Sequence, residues 1–224
     1  MLGRIIGLIW YYGIPVRVSV AKDNARRVFG AQKTEREIAQ IIREACVYQA
    51  TNALECLTVL NSMHEPERPC FRMHGLESYR KALQGKRGVC VVSLHLGNFE
   101  QSIALIAAKG FKLNIIYRPI SWKSLHDYWN MVRETLGIRA LSHRQSRDAI
   151  RAALKRGESV GFACDQHMPP HRGIVSTFLG QPAATTPAPA RFALESDAPI
   201  IIAHTYRDPE SPWLHHLHFE EFSI

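Results

Sequence analysis

Val89-Cys90-Val91-Val92-Ser93-Leu94-His95-Leu96-Gly97-Asn98-Phe99-Glu100 is the stretch from which the fold class is read. From Val89 to Leu94 the apolar run is nearly unbroken. A strand covered on one face alternates, so a continuous run predicts a strand buried on both faces, as in a parallel sheet. After it the pattern changes period. Asn98–Lys109 reads as a helix, with Asn98 as N-cap and Gly110 closing the other end. A buried strand that turns through a glycine into a helix is the building unit of an α/β sheet.

The same alternation extends outward. Leu113–Tyr117 reads as a second strand, and Leu125–Leu136 as a helix ending at Gly137. Ser146–Arg156 is a further helix, stopped by Gly157, and Val160–Cys164 a short strand. Thr186 caps a helix with Pro187 at its first position, and Pro199–Tyr206 is a later strand. Upstream, Ile38, Ile41, Ile42, Ala45, Ala53, Leu54 and Leu57 recur at three and four, which predicts a helix over Thr34–Leu60. Asn61–Arg72, rich in Pro, Glu and Arg, reads as a loop. The expected fold is α/β, a layered and mostly parallel sheet with helices on both faces.

Composition narrows the class. The chain has 224 residues, 46% hydrophobic and 21% charged, an ordinary globular balance without a disordered tract. A net charge of +8 suits an anionic lipid, an acidic protein or nucleic acid. No helix-turn-helix, zinc-finger or aromatic RNA-binding signature is present, so nucleic acid is not an expected partner. Five scattered cysteines, Cys46, Cys56, Cys70, Cys90 and Cys164, include no C-x-x-C pair. A disulfide framework or zinc site is therefore not expected, and a reducing compartment is.

The first 22 residues form a segment apart from the domain expected over 23–224. Ile5–Val16 is apolar but shorter than the ~18–20 residues that span a bilayer. Trp10, Tyr11 and Tyr12 suit the headgroup level, and Arg4, Arg17 and Lys22 flank the run. An interfacial helix fits these features, with a core helix as the alternative.

The chemistry collects at strand ends. His95 is expected at the carboxyl end of its strand, the usual ligand position in an open α/β sheet. Glu100 falls in the first helical turn, from which its carboxylate can reach back to one imidazole nitrogen and fix the tautomer. The other nitrogen then serves as general base. Gly97 lets the backbone approach a substrate closely, and the amides at the helix start suit a developing oxyanion. Arg118 and Asp165, with Gln166, end two other strands and are expected on the same sheet edge. Arg118 can grip a phosphate or stabilise charge, or simply form a surface ion pair. Arg144, Arg147, Arg151 and Lys155 stripe one helix face, which reads as a solvated face or a docking patch. Near the end, strand alternation sets His216, His218 and Glu220 opposite Trp213 and Leu217. His215, His216 and His218 resemble metal ligands, but a polar strand face is the expected meaning, and no metal is expected.

The segment His95-Leu96-Gly97-Asn98-Phe99-Glu100 resembles the acyltransferase box of the bacterial lipid A late acyltransferases and of the related phosphatidylinositol mannoside acyltransferases. Further segments carry the likeness along nearly the whole chain. They are Asn24-Ala25-Arg26-Arg27-Val28-Phe29, Gly75-Leu76-Glu77, Gly85-Lys86-Arg87-Gly88-Val89, Tyr117-Arg118-Pro119, Asp165-Gln166, Gly173, and Phe178-Leu179-Gly180-Gln181-Pro182-Ala183. Relatives usually carry Asp-x-Asp where this chain has Asp165-Gln166-His167. The resemblance implies a glycerolipid-acyltransferase-like fold and a direct transfer without an acyl-enzyme. His95, held by Glu100, deprotonates a hydroxyl, which attacks the thioester of acyl carrier protein or coenzyme A. Gly97, Asn98, Arg118, Asp165 and Gln166 are then substrate-binding. No cofactor is implied beyond the acyl thioester as co-substrate. The implied acceptor is an anionic lipid A precursor at the cytoplasmic face of the inner membrane. Another glycolipid, a glycerol lipid, a silent lipid-binding module and a thioesterase are the alternatives. The absence of a G-x-S-x-G elbow agrees with direct transfer. Relatives continue with further helices where this chain stops at Ile224, so a fragment and a short variant both stay open.

Overall fold

The computed structural model describes residues 1–57, 71–117, 122–142, 146–169 and 171–223. Two compact units emerge: Met1–Thr58 with Val175–Ala184, and Val59–Ile174 with Thr185–Ile224.

The first unit is helical with a hairpin. It contains α1 (Leu2–Tyr12), α2 (Val18–Phe29) and α3 (Glu35–Leu57). It also takes in most of the two-stranded sheet β6 (Ile174–Phe178) and β7 (Gln181–Thr185). The unit therefore runs past residue 22, and α2 itself spans that position. Gly3 and Gly7 are the buried positions of α1. A Cβ on Gly3 would lie 2.4 Å from Thr51 Oγ1, and one on Gly7 would lie 2.3 Å from Val47 Cα. Small residues four apart thus let α1 lie directly on the backbone of α3. The opposite face of α1, with Leu2, Ile5 and Ile9, is left exposed.

The second unit is the α/β domain. Its strands are β1 (Phe71–His74), β2 (Val89–Ser93), β3 (Leu113–Tyr117), β4 (Arg139–Ser142), β5 (Ser159–Ala163), β8 (Ile200–Arg207) and β9 (His215–Phe222). They form one sheet in the order β1-β9-β8-β2-β5-β3-β4. From β8 to β4 every pairing is parallel, and only β8–β9 is antiparallel. Its helices are α4 (Leu76–Gln84), α5 (Phe99–Ala108), α6 (Lys123–Thr135), α7 (Ser146–Lys155) and α8 (Ala188–Ser196).

Helices cover both sheet faces, as the sequence predicts. On one face Val89, Val91, Ile115, Ile201 and Phe219 pack with Tyr79 of α4 and Ile106 of α5. On the other, Cys90, Val160, Phe162 and Ile200 pack with Leu154 of α7 and Phe192 of α8. Val89 and Cys90, successive residues, are both fully buried, which is why their run carries no alternation. Each such side chain contributes roughly 1.5–3 kcal/mol of burial.

Two short strands depart from the expectation. The loop expected through Arg72 ends earlier, because Phe71–His74 form β1 with alternating half-buried and exposed positions. β4 is likewise four residues long and mixed in polarity. Such strands are too brief to impose a period on the sequence. The rest of that loop, and the end of the helix expected to reach Leu60, lie outside the described residues. Trp213 precedes β9 rather than sharing a face with Leu217.

Candidate active site

Parallel pairing assembles the site. β2 and β5 are neighbours with Ser93 opposite Ala163, and the amide of Cys164 donates to the carbonyl of Ser93 at 3.0 Å. His95 and Asp165 each stand two residues beyond that last pair. Equal offsets from a shared register bring the two side chains together. His95 Nδ1 lies 2.7 Å from Asp165 Oδ1, and the His95 backbone N–H donates to Asp165 Oδ2 at 2.8 Å. An ionised carboxylate only accepts, so Nδ1 carries the proton and Nε2 keeps its lone pair. Gln166 Nε2 is 3.4 Å from His95 Nε2, a long contact that a better partner can replace. The ring of Phe99 meets the imidazole edge-on at 4.8 Å.

Glu100 does not hold His95, which corrects the expectation drawn from the spacing. Its carboxylate accepts from Arg133 Nη2 of α6 at 3.0 Å, with the Arg133 side chain only 10% exposed. The physical reason is competition. Asp165 saturates both Nδ1 and the amide of His95, while a buried guanidinium strongly requires a carboxylate partner. Arg133 is the residue that the sequence reading missed. It lies four residues after Trp129, on the side of α6 that packs inward, and a charge at such a position was the available signal. Its guanidinium also lies 5.7 Å from the centroid of Tyr117, the last residue of β3.

Asn98 caps α5 as expected, accepting from Gln101 N at 3.3 Å. Gly97 has φ +64, and a Cβ there would lie 2.3 Å from the Thr205 carbonyl oxygen. The close approach that requires this glycine is thus to strand β8, and the reason given from sequence is replaced by that contact. Arg118 and Arg144 fall outside the described residues. Arg147, Arg151 and Lys155 are exposed on α7, and Arg151 pairs with Glu195 and Asp148.

The end of β2 opens onto a cavity of about 1210 Å³. His95, Glu100 and Gln166 line it together with Arg133, Arg147 and Arg191. Arg147 and Arg191 make no ion pair among the described residues, so this wall offers positive charge to an anionic ligand. Cys164 lies next in sequence to Asp165, and its thiol is pushed up to about 11, by burial first and then by the Asp165 charge. It stays protonated near neutral pH and is a poor nucleophile. The arrangement offers an oriented imidazole with a lone pair on Nε2, a cationic wall and, among the described residues, no activated thiol. That suits proton abstraction from a hydroxyl beside an anionic substrate.

The family model described as bacterial lipid A biosynthesis acyltransferase matches residues 3–220. No curated protein matches the chain.

Proposed function

The chain belongs to the bacterial lipid A biosynthesis acyltransferase family and is an acyltransferase, and from that premise we propose how its residues carry the transfer. The donor is an acyl thioester of acyl carrier protein or coenzyme A, and the acceptor is a hydroxyl of a lipid A precursor. His95 Nε2 takes the hydroxyl proton as the oxygen attacks the thioester carbonyl. The tetrahedral intermediate collapses, the C–S bond breaks, and the departing thiolate takes the proton back from His95. The products are the new ester and the free thiol of the carrier. The observation that carries this reading is the 2.7 Å contact between His95 Nδ1 and Asp165 Oδ1, which leaves Nε2 as the base.

Asp165 orients the imidazole and offsets its charge when it is protonated. Glu100 acts through Arg133, holding that guanidinium on the cavity wall where substrate charge accumulates. Arg147 and Arg191 bind the anionic part of the acceptor, and the exposed cations of α7 offer a contact for an acidic carrier protein. Arg118, at the end of β3 in the sequence, is proposed as a further anion-binding residue.

Membrane association rests on the helical unit. No helix among the described residues is long and apolar enough to cross a membrane. The face of α1 that exposes Leu2, Ile5 and Ile9 suits the headgroup–acyl boundary, while Gly3 and Gly7 bind it to α3. The hairpin in the same unit also exposes Val175, Phe178 and Leu179. We place this surface on the cytoplasmic leaflet of the inner membrane, where a thioester donor is supplied.

The test uses purified full-length protein, a labelled acyl thioester and a lipid A precursor. His95→Ala should lose roughly 10²–10⁴-fold in turnover while keeping its circular dichroism spectrum. Near-wild-type turnover in a folded variant sinks the mechanism, and no turnover by the wild type with any acceptor favours a silent lipid-binding module.

A further inference from the structure

Strand β9 lies between β1 and β8, and its polar face carries histidines in register. His218 stands opposite His74 of β1 on one side and His204 of β8 on the other. Three imidazoles thus form one row across three strands. The ring of His218 stacks on that of His74 at 4.2 Å and on that of His204 at 5.0 Å. One pleat away on the same face is His216, with Arg72 and Tyr206 opposite it. His74 Nε2 lies 2.9 Å from His216 Nδ1, and His216 Nε2 lies 2.9 Å from Asp208 Oδ2. Ligand atoms of His74, His216 and His218 all fall within 4.8 Å of one another.

The hydrogen bonds settle which nitrogens are free. Asp208 accepts at Oδ1 from the amides of Glu210 and Ser211, at 2.8 and 2.7 Å, and at Oδ2 from His216 Nε2. As an acceptor it requires the proton on His216 Nε2, so Nδ1 presents a lone pair toward His74. A carboxylate behind an imidazole is the arrangement that orients a histidine for a metal and raises its basicity. His218 Nε2 is buried without a hydrogen-bond partner among the described residues. An orphaned buried nitrogen needs a reason. One imidazole with an assigned lone pair, two more within reach and a carboxylate behind the first provide it.

We propose that His74, His216 and His218 bind a divalent transition-metal ion, with Zn²⁺ the best match to three imidazoles, and that Asp208 is a positioning residue for His216. Zinc–nitrogen bonds of about 2.0–2.1 Å place tetrahedral ligand atoms roughly 3.3 Å apart, so atoms already within 4.8 Å are near that spacing, and the stacked rings must unstack and turn to aim their lone pairs at one point. His74 is exposed, on the solvent side of the row, and is the ring that turns. In the apo state His74 Nε2 donates to His216 Nδ1, and the ion takes the place of that proton. Binding joins residue 74 to residue 216 and so ties β1 to β9. None of these residues takes part in the acyl transfer proposed above.

The experiment titrates Zn²⁺ into untagged, chelator-stripped full-length protein, by calorimetry and by competition with a chromophoric chelator. One ion per chain should bind with a dissociation constant of about 1 μM or tighter. Co²⁺ should give the visible bands of a nitrogen–oxygen site, without thiolate charge transfer. His74→Gln and His218→Gln should each weaken binding by about 100-fold or more, and Asp208→Asn by roughly 10–100-fold. Melting of each variant in chelator, compared with wild type, separates lost ligands from lost fold. The exposed His74 variant remains readable if His218→Gln misfolds. Binding that persists unchanged in folded His74→Gln, a thiolate cobalt spectrum, or no binding below about 100 μM overturns the proposal.

Discussion

Replacing Asp165 by Asn, beside Glu100 by Gln, separates the two carboxylates that a histidine at this strand end could use. Asp165 accepts two hydrogen bonds from His95, one from Nδ1 at 2.7 Å and one from the backbone amide at 2.8 Å. Asparagine has a single accepting oxygen. If that oxygen keeps the backbone amide, the NH₂ group faces Nδ1 and donates to it. The imidazole proton then moves to Nε2, the nitrogen proposed above to receive the hydroxyl proton. The variant keeps its shape but holds the wrong tautomer. Loss of the base amounts to roughly 10²–10⁴-fold in kcat, or about 3–5 kcal/mol of barrier. Glu100→Gln keeps a hydrogen-bond acceptor for Arg133 but removes its counter-charge from a side chain only 10% exposed. That variant should lose about 1–3 kcal/mol of stability and less than about tenfold in kcat when assayed folded. The assay is steady-state acyl transfer with thioester and acceptor varied separately, alongside urea unfolding of each variant. Turnover preserved in Asp165→Asn but lost in Glu100→Gln as fully as in His95→Ala would refute the Asp165 pairing. A rise in KM for the acceptor alone would instead make Asp165 a substrate contact.

Gly97→Ala places a Cβ 2.3 Å from the Thr205 carbonyl at φ +64, so it should cost roughly 2–3 kcal/mol of stability; an unchanged urea midpoint would contradict the packing argument. The Glu158 carboxyl is pulled from 4.5 down to about 2, chiefly by Arg156, with Asn114 and Arg139 assisting and burial opposing. Its folded value lies below its unfolded one, so the stabilisation is complete above about pH 5 and drains away as pH falls toward 2. Screening at the exposed arginines reduces the implied gain to about 2 kcal/mol at neutral pH. Glu158→Gln should therefore be less stable at pH 7, with more than half of the gap closed by about pH 3; a pH-independent gap would count against it. Ile5→Asp with Ile9→Asp, on the exposed face of α1, should abolish flotation with anionic liposomes while leaving the melting curve in place; equal flotation would move the membrane contact elsewhere. Cys90, whose thiol burial pushes up to about 12, and Cys164 should resist alkylation until the protein unfolds.

What the sequence determined by itself is local or periodic. The nearly unbroken run Val89–Leu94 told of a strand covered on both faces, and β2 is buried at its first three positions. Asn98 told of a helix start, and Leu113–Tyr117 is a strand to the residue. Those features are legible because burial and capping act within a few residues. Strand order is another matter. Nothing local to residues 93 or 163 says that β5 lies against β2, and that neighbourhood alone delivers Asp165 to His95 and releases Glu100 to Arg133. A spacing of five residues made Glu100 the nearest candidate in sequence, whereas a partner seventy residues away was nearer in space. The histidine row has the same origin. His216 and His218 are visible in the chain as alternate residues, but His74 and His204 join them only when β1 and β8 pair on either side of β9. Sequence states which side chains share a face of one strand, and tertiary pairing decides which faces meet, because hydrogen-bonded register depends on partners the chain meets only on folding.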